Sequence, residues 1–229
     1  MNQHPEAGSI VLCSAGLDSV VLLAAEATVR RAQPVYVQAG LAWEDEERRR
    51  LARVLAAPVF RSNVDDLVTL TLDMRDVYAP THWALVGKPP AYDTPDEDVY
   101  LVGRNLTLLT KAGIAAAQRR ISRVAIGPLA GNPFPDATPG FFDALARALS
   151  LGLDFPIEIA APFLNLHKEE VVALGIELGV PLELTLSCMN PAAGLHCGSC
   201  SKCRERHDAF IAAGVADPTT YASPPGGTN

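Results

Sequence analysis

Four cysteines cluster towards the C-terminal end of this 229-residue sequence, at a spacing typical of metal sites. Eight residues separate the first from the second, and two separate each later pair: Cys188, Cys197, Cys200 and Cys203. Four thiolates match the tetrahedral coordination of a structural zinc ion and leave no position open for a substrate. An iron–sulfur cluster also takes four cysteines and stays an alternative. The pattern therefore predicts a structural Zn²⁺ site.

Neighbouring residues refine this prediction. His196 precedes Cys197 and could replace one thiolate, although we expect it beside the ligands or in solvent. Three cations lie close to the last ligands and could offset the charge of a four-thiolate centre: Lys202, Arg204 and Arg206. The fifth cysteine, Cys13, ends a predicted buried strand, and we expect it to be part of the core.

A loop of small and hydroxyl-bearing residues lies near the N-terminal end, Ser14-Ala15-Gly16-Leu17-Asp18-Ser19. It falls between a predicted strand and a predicted helix, where open α/β sheets bind phosphate. Backbone N–H groups and serine hydroxyls can donate to phosphate oxygens, and Asp18 is expected to cap the helix and orient a magnesium ion. The loop is neither a Walker loop nor a dinucleotide fingerprint, and by itself it could be an ordinary capped turn.

Strands and helices alternate along most of the chain. Short apolar runs predict strands at 9–13, 34–38, 58–61, 123–127 and 157–161. Segments with helical spacing predict helices at 18–31, 44–55, 105–119, 141–151 and 167–178. The alternation predicts an α/β fold, with a doubly wound and mostly parallel sheet covered by helices on both faces.

Three regions are expected from this pattern. Residues 1–180 form the α/β domain, interrupted by a proline-rich loop or lid at 73–100, for which disorder is the alternative. Residues 181–217 form a zinc-binding helical subdomain. Residues 218–229, rich in proline and glycine, form a flexible tail.

Composition limits the function classes. The formal net charge of -7 disfavours a nucleic-acid partner, which would require a basic surface. No apolar run reaches the roughly 18 residues needed to span a membrane. Residues 1–8 are polar and lack the pattern of a signal peptide. We therefore expect a cytoplasmic protein, in which clustered cysteines bind metal rather than form disulfides.

The loop at residues 14–19 resembles the SGGxDS pyrophosphate loop of the N-type ATP pyrophosphatases, with Ala15 replacing a glycine. Together with the cysteine cluster, it resembles the 7-cyano-7-deazaguanine synthase family. Further matches are Leu101-Val102-Gly103-Arg104-Asn105 with a PGRN segment, Pro135-Asp136 with a YPDCR segment, and Pro162 to Gly175, where Lys168 stands at the family's lysine. The resemblance covers residues 9 to about 217.

The resemblance implies a reaction. ATP adenylates 7-carboxy-7-deazaguanine, ammonia displaces AMP to give an amide, and a second adenylation leads to the nitrile. Catalysis would rest on positioning and charge neutralisation by Asp18, Arg104, Lys168 and Mg²⁺. The resemblance further implies ATP binding by residues 14–19, Gly103, Arg104 and Lys168, and binding of the acid by Asn105 and Asp136. A homodimer is expected on the same ground.

Two segments depart from the family pattern. Residues 127–138 lack its paired acids, tyrosine and Cys-Arg pair, and residues 39–43 replace a YGQ-type sequence. A related enzyme that adenylates another carboxylate, or stops at the amide, is therefore an alternative. So is a tRNA-modifying pyrophosphatase, which would need a reactive spare cysteine and a basic surface. A non-catalytic nucleotide-binding or partner-binding module is a third.

Overall fold

The computed structural model describes residues 6–226. The first five residues of the predicted α/β domain, and the last three of the predicted tail, lie outside the described residues.

Five parallel strands form one sheet in the order β3-β2-β1-β4-β5. Their bounds are β1 Glu6–Leu12, β2 Arg31–Gln38, β3 Val68–Thr71, β4 Ile121–Ala125 and β5 Glu158–Ala160. The central strand β1 pairs on both sides, with Val11 opposite Pro34 of β2 and Ala125 of β4. Burial on both faces explains why residues 10–12, at the end of β1, are all apolar.

Seven α-helices belong to the described chain. They are α1 Leu17–Val29, α2 Glu44–Leu55, α3 Trp83–Val86, α4 Arg104–Gln118, α5 Pro139–Leu153, α6 Lys168–Glu177 and α7 Ser201–Ala212. One apolar cluster joins α1, α6 and α7 on one face of the sheet, through residues such as Val21, Val171 and Phe210. The other joins α4 and α5, through Leu109 and Phe142. The predicted doubly wound α/β fold is confirmed.

The predicted strand at 58–61 is wrong. Pro58–Phe60 forms a 3-10 turn, and the third strand lies later, at Val68–Thr71. Pro58 has no N–H to give to a strand ladder, but its fixed φ suits the first position of a helical turn. Phe60 instead fills the core between the sheet and α1, which is why this run is apolar.

The proline-rich loop, residues 73–100, has structure of its own. It contains α3 and a 3-10 turn at Asp96–Val99, and it packs an apolar cluster that includes Trp43, Met74 and Ala84. The Trp43 and Trp83 rings stack with centroids 5.8 Å apart. Ala91 pairs with Cys200, and the Ser201 N–H donates to the Pro90 carbonyl at 3.3 Å. The loop is therefore joined to the cysteine segment.

The segment after Asp217, for which we predict flexibility, packs against the cysteine segment at its start. His196 N–H donates to Thr220 O at 3.2 Å, and Ala222 N–H donates to His196 O at 2.7 Å. The Tyr221 hydroxyl donates to Asp217 Oδ2 at 2.6 Å. Over residues 6–226, none of the helices has the length and apolar character needed to cross a membrane.

Candidate active site

The phosphate loop, residues 14–19, turns sharply from β1 into α1. Ala15 has a φ of 64°, a left-handed conformation that costs an alanine more than a glycine. The Ser19 hydroxyl accepts from Ser14 N–H at 3.2 Å and donates to Gly16 O at 3.0 Å. Gly16 is the N-cap, and no side chain caps the helix. The backbone N–H groups of the first turn are thus left without a side-chain acceptor, as a phosphate site requires.

The expectation that Asp18 caps α1 is wrong. The helix already begins at Leu17, so Asp18 lies inside the first turn and its carboxylate extends away from the helix end. Asp18 Oδ2 pairs with Lys168 Nζ at 2.5 Å. Lys168 also pairs with Glu205 Oε1 at 2.8 Å. Burial alone would lower the Lys168 pKa, but the two carboxylates raise it above its ordinary value. Lys168 is therefore a fixed cation beside the phosphate loop.

The second carboxylate oxygen of Asp18, Oδ1, is buried and has no hydrogen-bond partner among the described residues. Burial raises the pKa of this carboxyl, although Lys168 opposes the shift. An unpaired buried carboxylate oxygen is costly unless a ligand satisfies it. The donor therefore fits a hard cation such as Mg²⁺.

A cleft of about 290 Å³ opens where the chain switches from one side of the sheet to the other. From the phosphate loop, Ser14, Gly16, Asp18 and Ser19 line it. Ala15 and Leu17 do not, because their side chains are buried in the core. The opposite wall holds Tyr36, Arg104, Asn105 and Asp136. The structure thus brings together sequence-predicted residues that lie more than a hundred positions apart.

Lys168 lines a neighbouring cleft of about 310 Å³, together with Lys202, Glu205 and residues 127–134. The two clefts share Asp18 and Asn132 in their walls. Lys168 and Arg104 therefore line different clefts, and Asp18 lines both. The segment that departs from the family pattern, 127–138, contributes to both walls.

Arg104 is the first residue of α4, after Gly103, whose φ of 75° favours glycine. Within residues 6–226 its guanidinium forms no ion pair within 4 Å, but it lies near enough to Glu47 to lower the pKa of that buried carboxyl. Asn105 and Asp136 bind each other: the Asp136 carboxylate accepts from the Asn105 N–H at 2.9 Å and from Nδ2 at 3.3 Å. Burial raises the Asp136 pKa.

Sequence reasoning missed two buried acids on α2. The Tyr36 hydroxyl donates to Glu47 Oε2 at 2.8 Å, and burial raises the Glu47 pKa to about 7. Glu44 accepts from the N–H groups of Ala39 and Gly40. The sequence does contain a pattern that indicates their burial. Four residues share one helical face, which is buried: Glu44, Glu47, Leu51 and Val54. Glu205 was also missed, and its spacing carries no such signal.

The four cysteines of the cluster are buried, and their sulfurs all lie within 4.8 Å of one another. Cys200 Sγ is 3.6 Å and Cys197 Sγ 3.8 Å from Cys203 Sγ. A tetrahedron with metal–sulfur bonds of about 2.3 Å places its sulfurs about 3.8 Å apart. Backbone N–H groups of Asn190 and Cys197 donate to Cys188 Sγ at 3.3 Å. The donor set therefore fits a metal such as zinc.

His196 does not replace one of the thiolate ligands, and it is not in solvent. It is buried, and its Nε2 accepts from the Ser187 N–H at 3.1 Å. Two of the cations expected to offset the charge of the thiolates form ion pairs with acids instead. Lys202 pairs with Glu205, and Arg204 pairs with Asp96. Arg206 is fully buried and donates to oxygens of Thr185, Ser187, Thr219 and Leu182.

Cys13, the cysteine outside the cluster, is buried at the base of the cleft. Burial raises its pKa to about 11, so the thiol stays protonated near neutral pH. A sulfur-transfer enzyme needs a thiolate nucleophile. This residue therefore does not supply the reactive cysteine that the tRNA-modifying alternative requires.

Fold and site together define an α/β protein with a five-stranded parallel sheet, a candidate phosphate loop at the switch point and a four-cysteine cluster that fits a metal ion. Residues 8–214 match the family described as "Queuosine biosynthesis protein QueC". The chain belongs to this family.

Curated relatives agree with this assignment. The chain is 36% identical over 228 residues to a 7-cyano-7-deazaguanine synthase of Anaeromyxobacter dehalogenans, covering 93% of this chain and 95% of that one. It is 34% identical over 235 residues to one of Methanopyrus kandleri, covering 94% and 99%.

Among solved structures, a predicted tRNA methyltransferase subunit of Methanocaldococcus jannaschii aligns over 96% of this chain and 93% of that chain, with 14% identity and a TM-score of 0.46.

Proposed function

We propose that this chain is an ATP-dependent carbon–nitrogen ligase that converts 7-carboxy-7-deazaguanine and ammonia into 7-cyano-7-deazaguanine. The carboxylate attacks the α-phosphate of ATP and releases pyrophosphate. Ammonia then displaces AMP and forms the amide. The amide oxygen attacks the α-phosphate of a second ATP and releases pyrophosphate, and loss of AMP and protons then leaves the nitrile. The observation that carries the proposal is one cleft that joins the phosphate loop to Arg104, in a member of the QueC family.

We propose that the phosphate loop binds the pyrophosphate portion of ATP through the N–H groups of residues 14–19 and the hydroxyls of Ser14 and Ser19. Arg104 and Lys168 neutralise charge that develops during adenylation. A cation at the first position of a helix opposes the helix dipole unless an anion is close. Lys168 pairs with Asp18 and Glu205. Arg104 makes no ion pair within 4 Å among the described residues, and its nearby acid Glu47 already bonds to Tyr36, which supports a phosphate as the direct partner of Arg104.

We propose that Asp18 contributes its free oxygen to a Mg²⁺ ion that enters with ATP. When bound, this ion neutralises phosphate charge and makes pyrophosphate a better leaving group. The residues of this chain contribute by holding the reacting groups in position, because the reaction needs no side-chain nucleophile. Gly103 permits the left-handed turn that starts α4 at Arg104.

We propose that the acid is bound at the wall formed by Asn105 and Asp136. Both line the cleft, and their mutual hydrogen bonds hold the buried carboxylate in one orientation. A fixed acceptor of this kind suits the N–H groups of a guanine-like base. Asp136→Asn should therefore raise the KM for the acid and leave the KM for ATP near the wild-type value.

We propose that residues 1–180 act as the nucleotide-binding domain, with 73–100 as its lid. Residues 181–217 would act as a subdomain organised by Zn²⁺, followed by the C-terminal tail at 218–229. The thiols of the cluster and the use of ATP favour a cytoplasmic setting. A homodimer stays a prediction, which sedimentation velocity would check.

The direct test is pyrophosphate release from ATP and Mg²⁺ in the presence of ammonium, with and without 7-carboxy-7-deazaguanine. The proposal requires release that depends on this acid and a nitrile product by mass spectrometry. An amide as the final product would mean that the chain stops after the first half. No release with this acid would reject the proposed substrate and point to the changed segment 127–138.

A further inference from the structure

Lys168 is held between two carboxylates that come from different parts of the chain. Asp18 belongs to the phosphate loop, and Glu205 lies on α7, two residues after Cys203. The other oxygen of Glu205 accepts from Lys202, one helical turn earlier. All four side chains are at most partly exposed, the Lys168 side chain only 15%. Charges of alternating sign therefore run from the phosphate loop to the cysteine segment.

The two carboxylates fix more than the position of the ammonium group. An ammonium has three N–H donors in tetrahedral directions. Asp18 and Glu205 take two, and among the described residues Nζ has no further partner. With two directions fixed, the third is fixed as well. That donor is left without an acceptor among the described residues. With Asp18 alone, the ammonium could rotate about a single contact.

Glu205 stands on a rigid part of the molecule. Cys200 is the N-cap of α7, and Cys203 lies in its first turn, so a metal in the cluster would hold the start of this helix. Arg206, the next residue, is fully buried and donates to Leu182 O at 2.7 Å and Thr185 Oγ1 at 2.8 Å. Ala209 and Phe210 pack into the core. The helix thus holds the Glu205 backbone in place beside Lys168.

We propose that Glu205 is a positioning residue that orients the Lys168 ammonium towards the phosphates of ATP and couples the cysteine centre to the phosphate loop. This rests on the proposed function in that Lys168 contacts ATP. Positioning of Lys168 by Glu205 strengthens ATP binding. The negative charge of Glu205 by itself weakens ATP binding, since a carboxylate near the phosphates repels ATP. Loss of that charge alone would tighten ATP binding, whereas loss of positioning weakens it.

The test is a double-mutant cycle on the zinc-loaded full-length chain, with Glu205→Gln, Lys168→Met and the double variant. The readout is the Kd for MgATP by equilibrium dialysis, which needs no acid substrate. We expect Glu205→Gln to weaken binding about fivefold in the wild-type background and not to weaken it in the Lys168→Met background, where only the charge effect remains. The matched control is Asp208→Asn, which removes the same charge from an exposed position on the same helix.

Glu205→Asp gives a second comparison that does not depend on Lys168→Met being folded. It keeps the charge but shortens the side chain by one methylene, so positioning predicts weaker ATP binding and a pure charge effect predicts wild-type binding. Zinc content and unfolding temperature confirm that each variant is intact.

An unchanged or tighter Kd for intact Glu205→Gln, or equal effects in both backgrounds, would overturn the inference. Wild-type protein that binds ATP but releases no pyrophosphate with 7-carboxy-7-deazaguanine would reject the proposed substrate, and the cycle would still decide the role of Glu205. Wild-type protein that does not bind ATP would reject both.

Discussion

Ala15 shows how a single residue departs from the family pattern at a conformational cost. Its φ of 64° is one that glycine adopts freely, while an alanine loses about 1 kcal/mol or more there. The methyl group is fully buried, so it also gains contacts that a glycine would lose. The two effects oppose each other at this position.

We expect Ala15→Gly to leave the free energy of unfolding within about 1 kcal/mol of wild type, because relief of strain offsets the lost methyl contacts. The matched control is Ala24→Gly, at a buried position of α1 with helical backbone, which should lose about 2 kcal/mol. Urea unfolding measures both. Equal losses in the two variants would show that Ala15 is not strained.

Replacing Arg104 should lower activity much more than it lowers stability. Arg104→Met removes a cation that makes no ion pair in the described part of the chain but lowers the pKa of buried Glu47, so the free energy of unfolding should fall by no more than about 1 kcal/mol. Its kcat/KM for ATP should fall about 100-fold, as for other charge-stabilising groups in a dry cleft. The control is Arg147→Met, at an exposed position on α5. Wild-type kcat/KM in Arg104→Met would remove it from the proposed machinery.

Helix α2 carries an acidic residue, Glu47, into the protein interior. Glu47 joins this helix to β2 through the Tyr36 hydroxyl, and the buried carboxyl has a pKa of about 7 against an ordinary 4.5. The unfolded chain therefore ionises this group at lower pH than the folded chain does. As pH rises from 4.5 to 7, ionisation favours the unfolded state.

Glu47→Gln should therefore become more stable relative to wild type as pH rises through that window, by up to about 3 kcal/mol, with no further gain above it. Urea unfolding at pH 4.5, 6 and 7.5, which spans the interval between the two pKa values, measures the difference. Glu177→Gln, an exposed change on α6, serves as the control and should show no trend. A flat difference for Glu47→Gln would contradict the raised pKa.

The cysteine segment links α7 to the proline-rich loop, so metal removal should loosen both. Chelation or Cys203→Ser should cost about 3 kcal/mol or more and lower the unfolding temperature by about 10 °C. Hydrogen exchange should speed up at residues 188–203 and also at Ala91, which pairs with Cys200. Cys13→Ser, outside the cluster, should keep its metal. Faster exchange at the cysteines alone would show that the loop is held independently.

At the scale of the whole molecule, the charge balance bears on the partner. With 26 acidic and 19 basic residues, the surface has little capacity to neutralise a phosphate backbone. We expect tRNA to bind no tighter than about 10 µM at physiological salt, measured by mobility shift. Tight binding that weakens steeply with added salt would contradict this prediction and revive a tRNA-modifying role.

The sequence alone determined the alternation of strands and helices, the helix at 44–55 and the composition of the cysteine cluster, because these depend on local periodicity and short spacing. The third strand was not predictable, since Pro58–Phe60 is apolar only because Phe60 fills the core, while β3 is a short edge strand paired with β2 alone. The prediction that Asp18 caps α1 was wrong, because the N-cap is Gly16, whose backbone is extended, and the helix begins at Leu17.

Only the tertiary structure decided which distant side chains meet. Lys168 and Glu205 become partners because α6 and α7 pack on the same face of the sheet, and Asn105 meets Asp136 where the start of α4 approaches the turn before α5. The burial of Glu47 and His196 likewise depends on packing against β2 and the segment near Tyr221. Such contacts depend on how elements pack, and no local spacing encodes them.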